Sequence, residues 1–274
     1  MSYPSDVVMR LPKCALRVLC LFLLIGIPSS TEAQQAHPNL DGMWSDPPST
    51  ALGQFCAGWC TDAGIDYLNR LLDDPANDAR PYRELEAEAL KYQQEKYIVP
   101  RLSDAALKTY PLDPADDPSF LRCEPYGLAR QMRSRHQLEI RQRGKDQMEL
   151  RYGEWDARRT VYLDGRKPPA NQAPTLLGHS VAHWEGQELV IESSGIKANR
   201  YQFNAEHSDQ LRIVERYTRS QDGKTLWLAA TLEDPWSLRQ PIVIKRMWRW
   251  APESRIDPYK DCQIPTDFKK GLKP

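Results

Sequence analysis

From residue 135 onward, apolar and polar side chains alternate along the chain. The alternation is clear where polar residues separate His136, Leu138 and Ile140. A period of two places the two sets of side chains on opposite faces of a β-strand. About eight such segments follow one another, and residues 221–224 (Gln-Asp-Gly-Lys) form a typical hairpin turn between two of them. Sequential hairpins favour an antiparallel, up-and-down β-barrel, because closure removes the exposed edges.

A different pattern occupies residues 62–111, where apolar residues recur at helical spacing. Ile65 and Leu68 lie on one face of a predicted helix. Pro81 opens a second helix, rich in residues of high helix propensity, and residues 103–110 form a third, short segment. We therefore predict a helical insertion in the barrel.

The first 33 residues have the features of a cleaved secretory leader. Three basic residues precede the apolar run 18–27, which is shorter than the roughly 20 residues that a membrane span needs. Small residues then provide a cleavage site after Ala33. We predict a periplasmic or secreted protein, with no membrane association after cleavage and a single barrel domain at 34–274.

Charge and motifs narrow the classes of partner. The chain has 37 Lys and Arg against 37 Asp and Glu, so its formal net charge is zero. Such a balance gives no electrostatic reason to expect nucleic acid as a partner. The sequence contains no phosphate loop, dinucleotide fingerprint, nucleophile elbow or zinc-protease motif. We therefore expect a small-molecule partner and no cofactor, and the sequence does not predict the oligomeric state.

Four cysteines follow the leader, namely Cys56, Cys60, Cys123 and Cys262. In an oxidising compartment they predict two disulfides, with three possible connectivities. One connectivity closes a local loop between Cys56 and Cys60 and ties Cys123 to Cys262 in the C-terminal tail. A haem attachment site is not predicted, because no histidine follows Cys60.

Residues 40–44 predict one further strand at the start of the domain. Its Gly42-Met43-Trp44 sequence resembles the Gly-x-Trp opening strand of lipocalin-like (calycin) barrels. The resemblance implies that Trp44 closes the barrel floor and packs under an arginine of the last strand, where Arg246 and Arg249 are the candidates. An ordinary core tryptophan is the alternative.

A series of short motifs resembles a family of exported bacterial proteins to which no settled activity is attached. In chain order the motifs are residues 123–130, Asp164-Gly165-Arg166, Gly178-His179-Ser180 with Trp184-Glu185-Gly186, residues 214–217 and Leu232-Glu233-Asp234-Pro235. The resemblance extends from Leu40 to Cys262 and implies a shared barrel.

The predicted hairpin at 178–192 carries the strongest candidate chemistry. On a strand, His179 and His183 share a face but lie about 13 Å apart, too far to bind one metal ion. We therefore predict no metal site. If this face points into the barrel, the imidazoles can transfer protons, whereas an outward face leaves them solvated and makes Trp184 a core residue. We favour the inward orientation.

Other titratable residues extend the candidate site. Glu154 and Arg159 flank a turn and are expected to pair, as a structural ion pair or as a substrate clamp. Glu215 and Arg216 alternate, so only one of them can face the interior. His207 lies in a polar loop and is expected to be exposed. If that loop covers the barrel mouth, it joins the hairpin histidines as a general acid or base.

Two functional hypotheses follow, besides a purely structural exported protein. The first is a cofactor-independent lyase, isomerase or hydrolase that acts on a small apolar or aromatic compound by acid–base chemistry. The second is a periplasmic protein that binds such a compound without chemistry. A cavity inside the barrel would support either, and a filled barrel would count against both. The candidate catalytic residues are His179, His183, Glu154 and His207, and the candidate ligand-binding residues are Arg159, Tyr152, Tyr162, Trp227 and Arg246.

Overall fold

A closed β-barrel is the central feature of the computed structural model, which describes residues 37–257 apart from 46, 114–115, 122 and 134. The predicted leader lies outside the described residues. Nine of the described strands form the barrel, and two short ones form a separate ribbon. The barrel strands are β1 (Gly42–Ser45), β2 (Leu138–Arg143), β3 (Gln147–Tyr152), β4 (Ala157–Tyr162), β5 (His179–Glu185), β6 (Glu188–Ser194), β9 (Arg212–Arg219), β10 (Thr225–Glu233) and β11 (Ile242–Trp250), and the ribbon is β7 (Asn199–Arg200) with β8 (Glu206–His207).

The barrel strands follow one another in up-and-down order, as we predicted. Going round the barrel, β1 to β6 are followed by β9, β10 and β11, and β11 pairs again with β1. Every neighbouring pair is antiparallel except β4 and β5, which are parallel. A closed ring of strictly alternating directions needs an even number of strands, so nine strands require at least one parallel pair. The predicted antiparallel barrel is confirmed, with this one exception.

The first strand packs against the last through aromatic rings. Gly42 has a φ of +127°, and a Cβ atom at this position would lie 2.1 Å from the ring of Trp250. Trp44 is fully buried, its Nε1 donates to the carbonyl oxygen of Leu40 at 2.9 Å, and its ring centroid lies 5.0 Å from that of Trp250. Glycine is therefore required at 42, because any side chain would displace the Trp250 ring.

The arginine that covers these rings comes from β9, and our prediction of an arginine from the last strand is wrong. The guanidinium carbon of Arg219 lies 5.1 Å from the Trp44 ring centroid and 5.0 Å from that of Trp250. Arg249 is on the outer face of β11, with a side chain that is 47% exposed. Arg246 faces inward but lies farther along the strand and stacks on Trp248.

The predicted helical insertion is present between β1 and β2. Leu68 of one helix and Leu85 of the next are buried, and they pack with Trp227 and Met247 against the outside of β10 and β11. No helix in the described part of the chain is long and apolar enough to cross a bilayer. The described helices are α1 (Ala51–Phe55), α2 (Asp62–Asp73), α3 (Tyr82–Gln93), α4 (Asp104–Leu107), α5 (Pro118–Leu121) and α6 (Leu128–Gln131), with short 3-10 turns at Pro75–Asn77, Val99–Arg101 and Glu154–Asp156 and a π-helical turn at Gln94–Ile98.

Large side chains fill the inside of the barrel. Trp44, Tyr152, Tyr217 and Trp248 are each at most 2% exposed and pack among buried leucine and isoleucine side chains. A side chain next to a cavity that admits water would expose more of its surface to that cavity. No room for an organic ligand therefore adjoins these described side chains, and the interior cavity that both functional hypotheses required is not found there.

One of the predicted disulfides is present, between Cys56 and Cys60. Both cysteines are fully buried, and Cys60 exchanges two backbone hydrogen bonds with Lys245 of β11, at 2.9 and 2.8 Å. The disulfide loop is thus attached to the last strand. The predicted bridge between Cys123 and Cys262 involves a cysteine, Cys262, that lies outside the described residues.

Candidate functional site

The hairpin formed by β5 and β6 turns its histidines outward, so the predicted inward orientation is wrong. Ser180 and Ala182 are buried, whereas the side chain of His183 is 51% exposed. The Ser180 and Ser193 hydroxyls form a hydrogen bond of 2.9 Å between the two strands. The inner face of β5 meets a crowded core, and small residues fit it better than two imidazole rings.

His183 belongs to a solvated ion cluster on the outer face. Its Nε2 lies 3.0 Å from Oε1 of Glu185, and Arg216 donates to Glu185 at 2.7 Å and to Glu188 at 3.1 Å. All four side chains are 39% exposed or more. Surface clusters of this kind contribute little free energy and enclose no space for a substrate. These surroundings do not support the predicted catalytic role of His183.

Arg159 forms a buried ion pair, but with Glu215 and not with Glu154 as we predicted. Its Nη1 and Nη2 donate to the two carboxylate oxygens of Glu215 at 2.6 and 3.0 Å, and Tyr217 donates to the same carboxylate at 2.9 Å. Burial alone would lower the pKa of Arg159, but the Glu215 carboxylate outweighs it and raises the pKa above its usual value. The pair joins β4 to β9 across the barrel, and Arg216 points outward, as the alternation predicted.

Glu154 lies elsewhere, in the 3-10 turn between β3 and β4. Its backbone carbonyl accepts a hydrogen bond of 2.9 Å from Nε2 of Gln131. Burial, followed by the charge of Glu154, raises the pKa of Tyr126 to about 12. Glu154 therefore belongs to a polar cluster beside α6, away from the hairpin histidines with which we grouped it.

Tyr152 and Arg246 do face the interior, as a ligand-binding role would require, but the space beside them is occupied. Burial raises the pKa of Tyr152 to about 12 and that of Tyr217 well above its usual value. Both hydroxyls stay protonated at neutral pH and cannot act as bases. Arg246 donates to the backbone carbonyls of Met132 at 2.9 Å and His136 at 3.3 Å. These contacts join the last strand to the segment after α6.

His207 is buried, contrary to the exposed position that we predicted. It is 2% exposed, and its Nδ1 lies 2.9 Å from the carbonyl oxygen of Ser208. A carbonyl can only accept, so Nδ1 carries the proton. Burial lowers the pKa of His207 and keeps the ring neutral. It borders a groove with Lys197 and Trp236, whereas His179 borders other grooves, so the two histidines are not brought together.

Tyr162 and Trp227, which we predicted as walls of an interior site, are both on the outer face. Trp227 packs against the helical insertion. The ring of Tyr162 stacks on that of His179, with centroids 5.2 Å apart and an interplanar angle of 24°. Tyr162 thus lies beside a predicted catalytic residue, but outside the barrel.

An open groove lies at the seam between β4 and β5. Only two residue pairs, Val161–Ser180 and Tyr162–Val181, connect these strands. The residues of β4 before Val161 have no hydrogen-bonded partner strand on the side of β5. Residues 175–178 pass beside them without forming a ladder. The resulting groove has a volume of about 740 Å³. This seam groove is lined by residues 158–160, Tyr162, Arg166, Lys167, Pro169, Gln172 and residues 175–179.

The lining of the seam groove is cationic. It includes Arg158, Arg166 and Lys167 but no carboxylate of the described residues. Arg166 is neutralised by Asp164, whose pKa the guanidinium lowers to about 2. Lys167 makes no ion pair with a described residue. The smaller neighbouring groove, by contrast, includes two glutamates in its lining.

His179 forms the edge of the seam groove in a fixed orientation. Its Nε2 lies 2.9 Å from the backbone carbonyl oxygen of Arg166, so Nε2 carries the proton and donates. The guanidinium carbon of Arg166 also lies 4.6 Å from the ring centroid of Tyr162. In the neutral ring Nδ1 remains an acceptor.

Sequence reasoning missed Arg158 and Lys167 as site residues and Glu215 as the partner of Arg159. Asp164-Gly165-Arg166 entered our sequence analysis only as one motif of the family resemblance, although the loop carries two consecutive cations, Arg166 and Lys167. Arg158 and Arg159 are consecutive on a strand, which indicates that one faces outward. Pairing across the barrel depends on strand order, so the sequence offered no local signal for Glu215.

Comparisons with protein-family models, curated proteins and solved structures found no match. Within the described residues, no group of three or more His, Cys, Asp or Glu side chains is placed to hold a metal ion.

Proposed function

We propose that this protein binds a small anionic aromatic molecule in the seam groove without converting it, after export under the predicted leader. The observation that carries the proposal is a groove of about 740 Å³ whose lining combines arginine, lysine and histidine with no described carboxylate. Ligand pockets in proteins commonly measure about 300–1,000 Å³.

The charge of the groove favours an anion. Lys167 has no described carboxylate partner, and Arg158 lies 3.5 Å from Asp156 and 3.8 Å from Glu149, with half of its side chain exposed. Such loosely paired cations attract a carboxylate most strongly at low ionic strength. The His179 ring, stacked on Tyr162 at the edge of the groove, supplies an aromatic contact for the rest of the ligand.

The groove supports binding better than acid–base catalysis. General acid–base chemistry needs groups that reach one reacting atom. His179 already donates Nε2 to a backbone carbonyl, and no described carboxylate borders the groove to tune or relay its proton. The other two candidate histidines, His183 and His207, lie in other surroundings.

The test is calorimetric titration with benzoate at low salt, with benzyl alcohol as the uncharged probe of similar shape. We expect benzoate to bind more tightly. Lys167→Ala removes about 1 kcal/mol of attraction and should weaken benzoate binding about fivefold. Lys224→Ala, at an exposed turn between β9 and β10, is the matched control and should leave binding unchanged.

Equal binding of the two probes, or equal losses in the two lysine variants, would contradict the proposal. Mass spectrometry of the incubated probes addresses catalysis separately. A new product that is not formed by the His179→Asn variant would show that the protein is an enzyme and not only a binding protein.

A further inference from the structure

The loop between β10 and β11 carries an exposed tryptophan, Trp236. It is 39% exposed, whereas the barrel tryptophans Trp44 and Trp248 are at most 1% exposed. Tryptophan is largely buried in most folds, because its ring is a large apolar surface that gains from leaving water. Where tryptophan is exposed, it is among the residue types that most often carry the binding energy of a contact. The ring of Trp236 is therefore a candidate contact for a ligand.

The loop that carries Trp236 is fixed by the buried carboxylate of Asp234. The backbone N–H of Trp236 and the hydroxyl of Ser237 donate to this carboxylate at 3.0 and 2.8 Å. The backbone N–H and the hydroxyl of Ser208, which follows β8, donate to it at 2.7 and 2.8 Å. The hydroxyl of Ser103 donates to the carbonyl oxygen of Trp236 at 2.6 Å. The loop and the ribbon are thus held together before a ligand binds, which lowers the entropy lost on binding.

Trp236 borders an open groove of about 530 Å³, which we call the ribbon groove. Residues 197–200 and 206–208, from the ribbon of β7 and β8 and its flanks, supply most of the described lining. The volume is within the range of ligand pockets. Because the groove is open to solvent, a ligand can enter it without displacing any core side chain.

The charges that line the ribbon groove balance one another. Of the described lining residues, Lys197 and Arg200 are cationic, and Glu124 and Glu206 are acidic. The seam groove, by contrast, has cations and no described carboxylate in its lining. A balanced lining offers donors and acceptors side by side and favours an ion of neither sign. We therefore expect an uncharged ligand that carries both hydrogen-bond donors and acceptors.

Two polar side chains of the ribbon are already ordered. Oδ1 of Asn199 accepts from the backbone N–H of Arg200 at 2.7 Å, which fixes the amide and leaves Nδ2 as a donor without a partner among the described residues. Nη1 and Nη2 of Arg200 donate to the backbone carbonyls of Asp113 and Asp116, both at 3.0 Å. Side chains that are held in this way lose little conformational entropy when they contact a ligand.

We propose that the ribbon groove binds a neutral saccharide, with a pyranose ring stacked on the indole of Trp236 and a hydroxyl accepting from Nδ2 of Asn199. The C–H groups of a sugar ring are slightly positive because each carbon bears an oxygen, so the negative face of the indole attracts them. Hydroxyl groups both donate and accept, which suits a lining with carboxylates and N–H groups.

Sugars whose ring hydroxyls are all equatorial, such as β-1,4-linked glucose, have flat faces made of C–H groups and fit an indole best. This site uses Trp236 and Asn199, neither of which lines the seam groove. It therefore stands or fails separately from the proposed function.

The experiment is a titration of the mature protein with cellopentaose, followed by calorimetry and by tryptophan fluorescence, with sorbitol as a polyol that has no ring. We expect cellopentaose to bind with a Kd of about 1 mM or tighter and sorbitol not to bind at equal concentration. Trp236→Ala should weaken binding at least about tenfold. Asn199→Ala should weaken it about fivefold, the equivalent of one lost hydrogen bond.

Two control variants separate this site from the rest of the surface. Leu72→Ala removes an equally exposed apolar side chain from α2 and should leave cellopentaose binding unchanged. Lys167→Ala should weaken the binding of benzoate but not that of cellopentaose, so the two proposals can fail independently.

Three results would overturn the proposal. The first is no binding of cellopentaose at about 10 mM. The second is equal affinity of the parent and Trp236→Ala, which would place the saccharide elsewhere. The third is a dimer in sedimentation that Trp236→Ala dissociates, because a second copy of the chain would then cover the indole.

Discussion

Basic side chains occur both inside the barrel and in the seam groove, but their charges are compensated to different degrees. Inside, Arg159 is 2% exposed and both carboxylate oxygens of Glu215 accept from it. In the groove, Lys167 has no described carboxylate partner and Arg158 is half exposed. A buried charge must be compensated within the fold, whereas an exposed one stays available to a ligand.

This contrast predicts which charged residues stabilise the fold and which ones are available to bind a ligand. Removing a partner from the interior leaves an uncompensated charge in a medium of low polarity, which is costly. Removing a cation from the groove changes the electrostatic potential at the groove and has little effect on the free energy of unfolding. We therefore expect interior variants to affect unfolding and groove variants to affect binding.

The largest effect is expected for Glu215→Gln. It leaves Arg159 buried beside a neutral amide, so the free energy of unfolding should fall by about 3 to 5 kcal/mol. Urea unfolding followed by fluorescence measures the change. Glu188→Gln, on the outer face of β6, is the control and should cost no more than about 1 kcal/mol. Similar costs for both variants would remove the distinction between the two regions.

A second large effect is expected for Gly42→Ala at the aromatic floor. The φ of +127° costs an alanine about 1 to 3 kcal/mol, and displacing the Trp250 ring adds about 1 to 3 kcal/mol. Gly144→Ala, at a φ of +70° and with no atom of a more distant residue within 4 Å of its new Cβ, should show only a backbone cost of about 1 kcal/mol. Thermal unfolding of the two variants measures the difference, and equal melting temperatures would contradict the predicted clash.

A moderate effect is expected from pH, through buried His207. Its folded pKa lies below the unfolded value of about 6.5, so the unfolded state binds more protons as the pH falls through that value. The free energy of unfolding should therefore decrease below about pH 6.5, by at most about 1.4 kcal/mol per pH unit. His207→Gln should reduce this slope and exposed His183→Gln should not. An unchanged slope in His207→Gln would assign the dependence to other groups.

The smallest effect on stability is expected for Lys167→Ala. An exposed lysine without an ion pair contributes within about 0.5 kcal/mol, so urea midpoints of variant and parent should coincide. A clear loss of stability would mean that Lys167 supports the loop, and it would weaken the assignment of its charge to a ligand.

Alternation along single strands predicted about eight strands after residue 135, and apolar residues at helical spacing predicted the helical insertion. The alternation also showed that Glu215 and Arg216 face opposite ways. It did not predict which way the β5–β6 hairpin faces, because Ser180 and Ala182 form as regular a pattern as His179 and Val181. The density of the core decides that question, and density is a property of all the strands together.

Pairings between distant strands were the second failure. The partner of Trp44 is Arg219 rather than an arginine of the last strand, and the partner of Arg159 is Glu215. Both depend on how strands are staggered round the barrel, which no local motif encodes. The seam groove was missed for the same reason, because it exists only where β4 and β5 run in the same direction.

The parallel pair has a consequence for the variability of this fold. Val161 and Tyr162 at the end of β4 pair with Ser180 and Val181 at the start of β5, so a short connection is enough to join the two strands. Residues 163–178 are far more than such a connection requires. The surplus lines one side of the groove, and none of these residues belongs to a ladder of the barrel. Residues 163–178 can therefore change in length and sequence while every barrel strand keeps its register, and with them the lining of the groove changes.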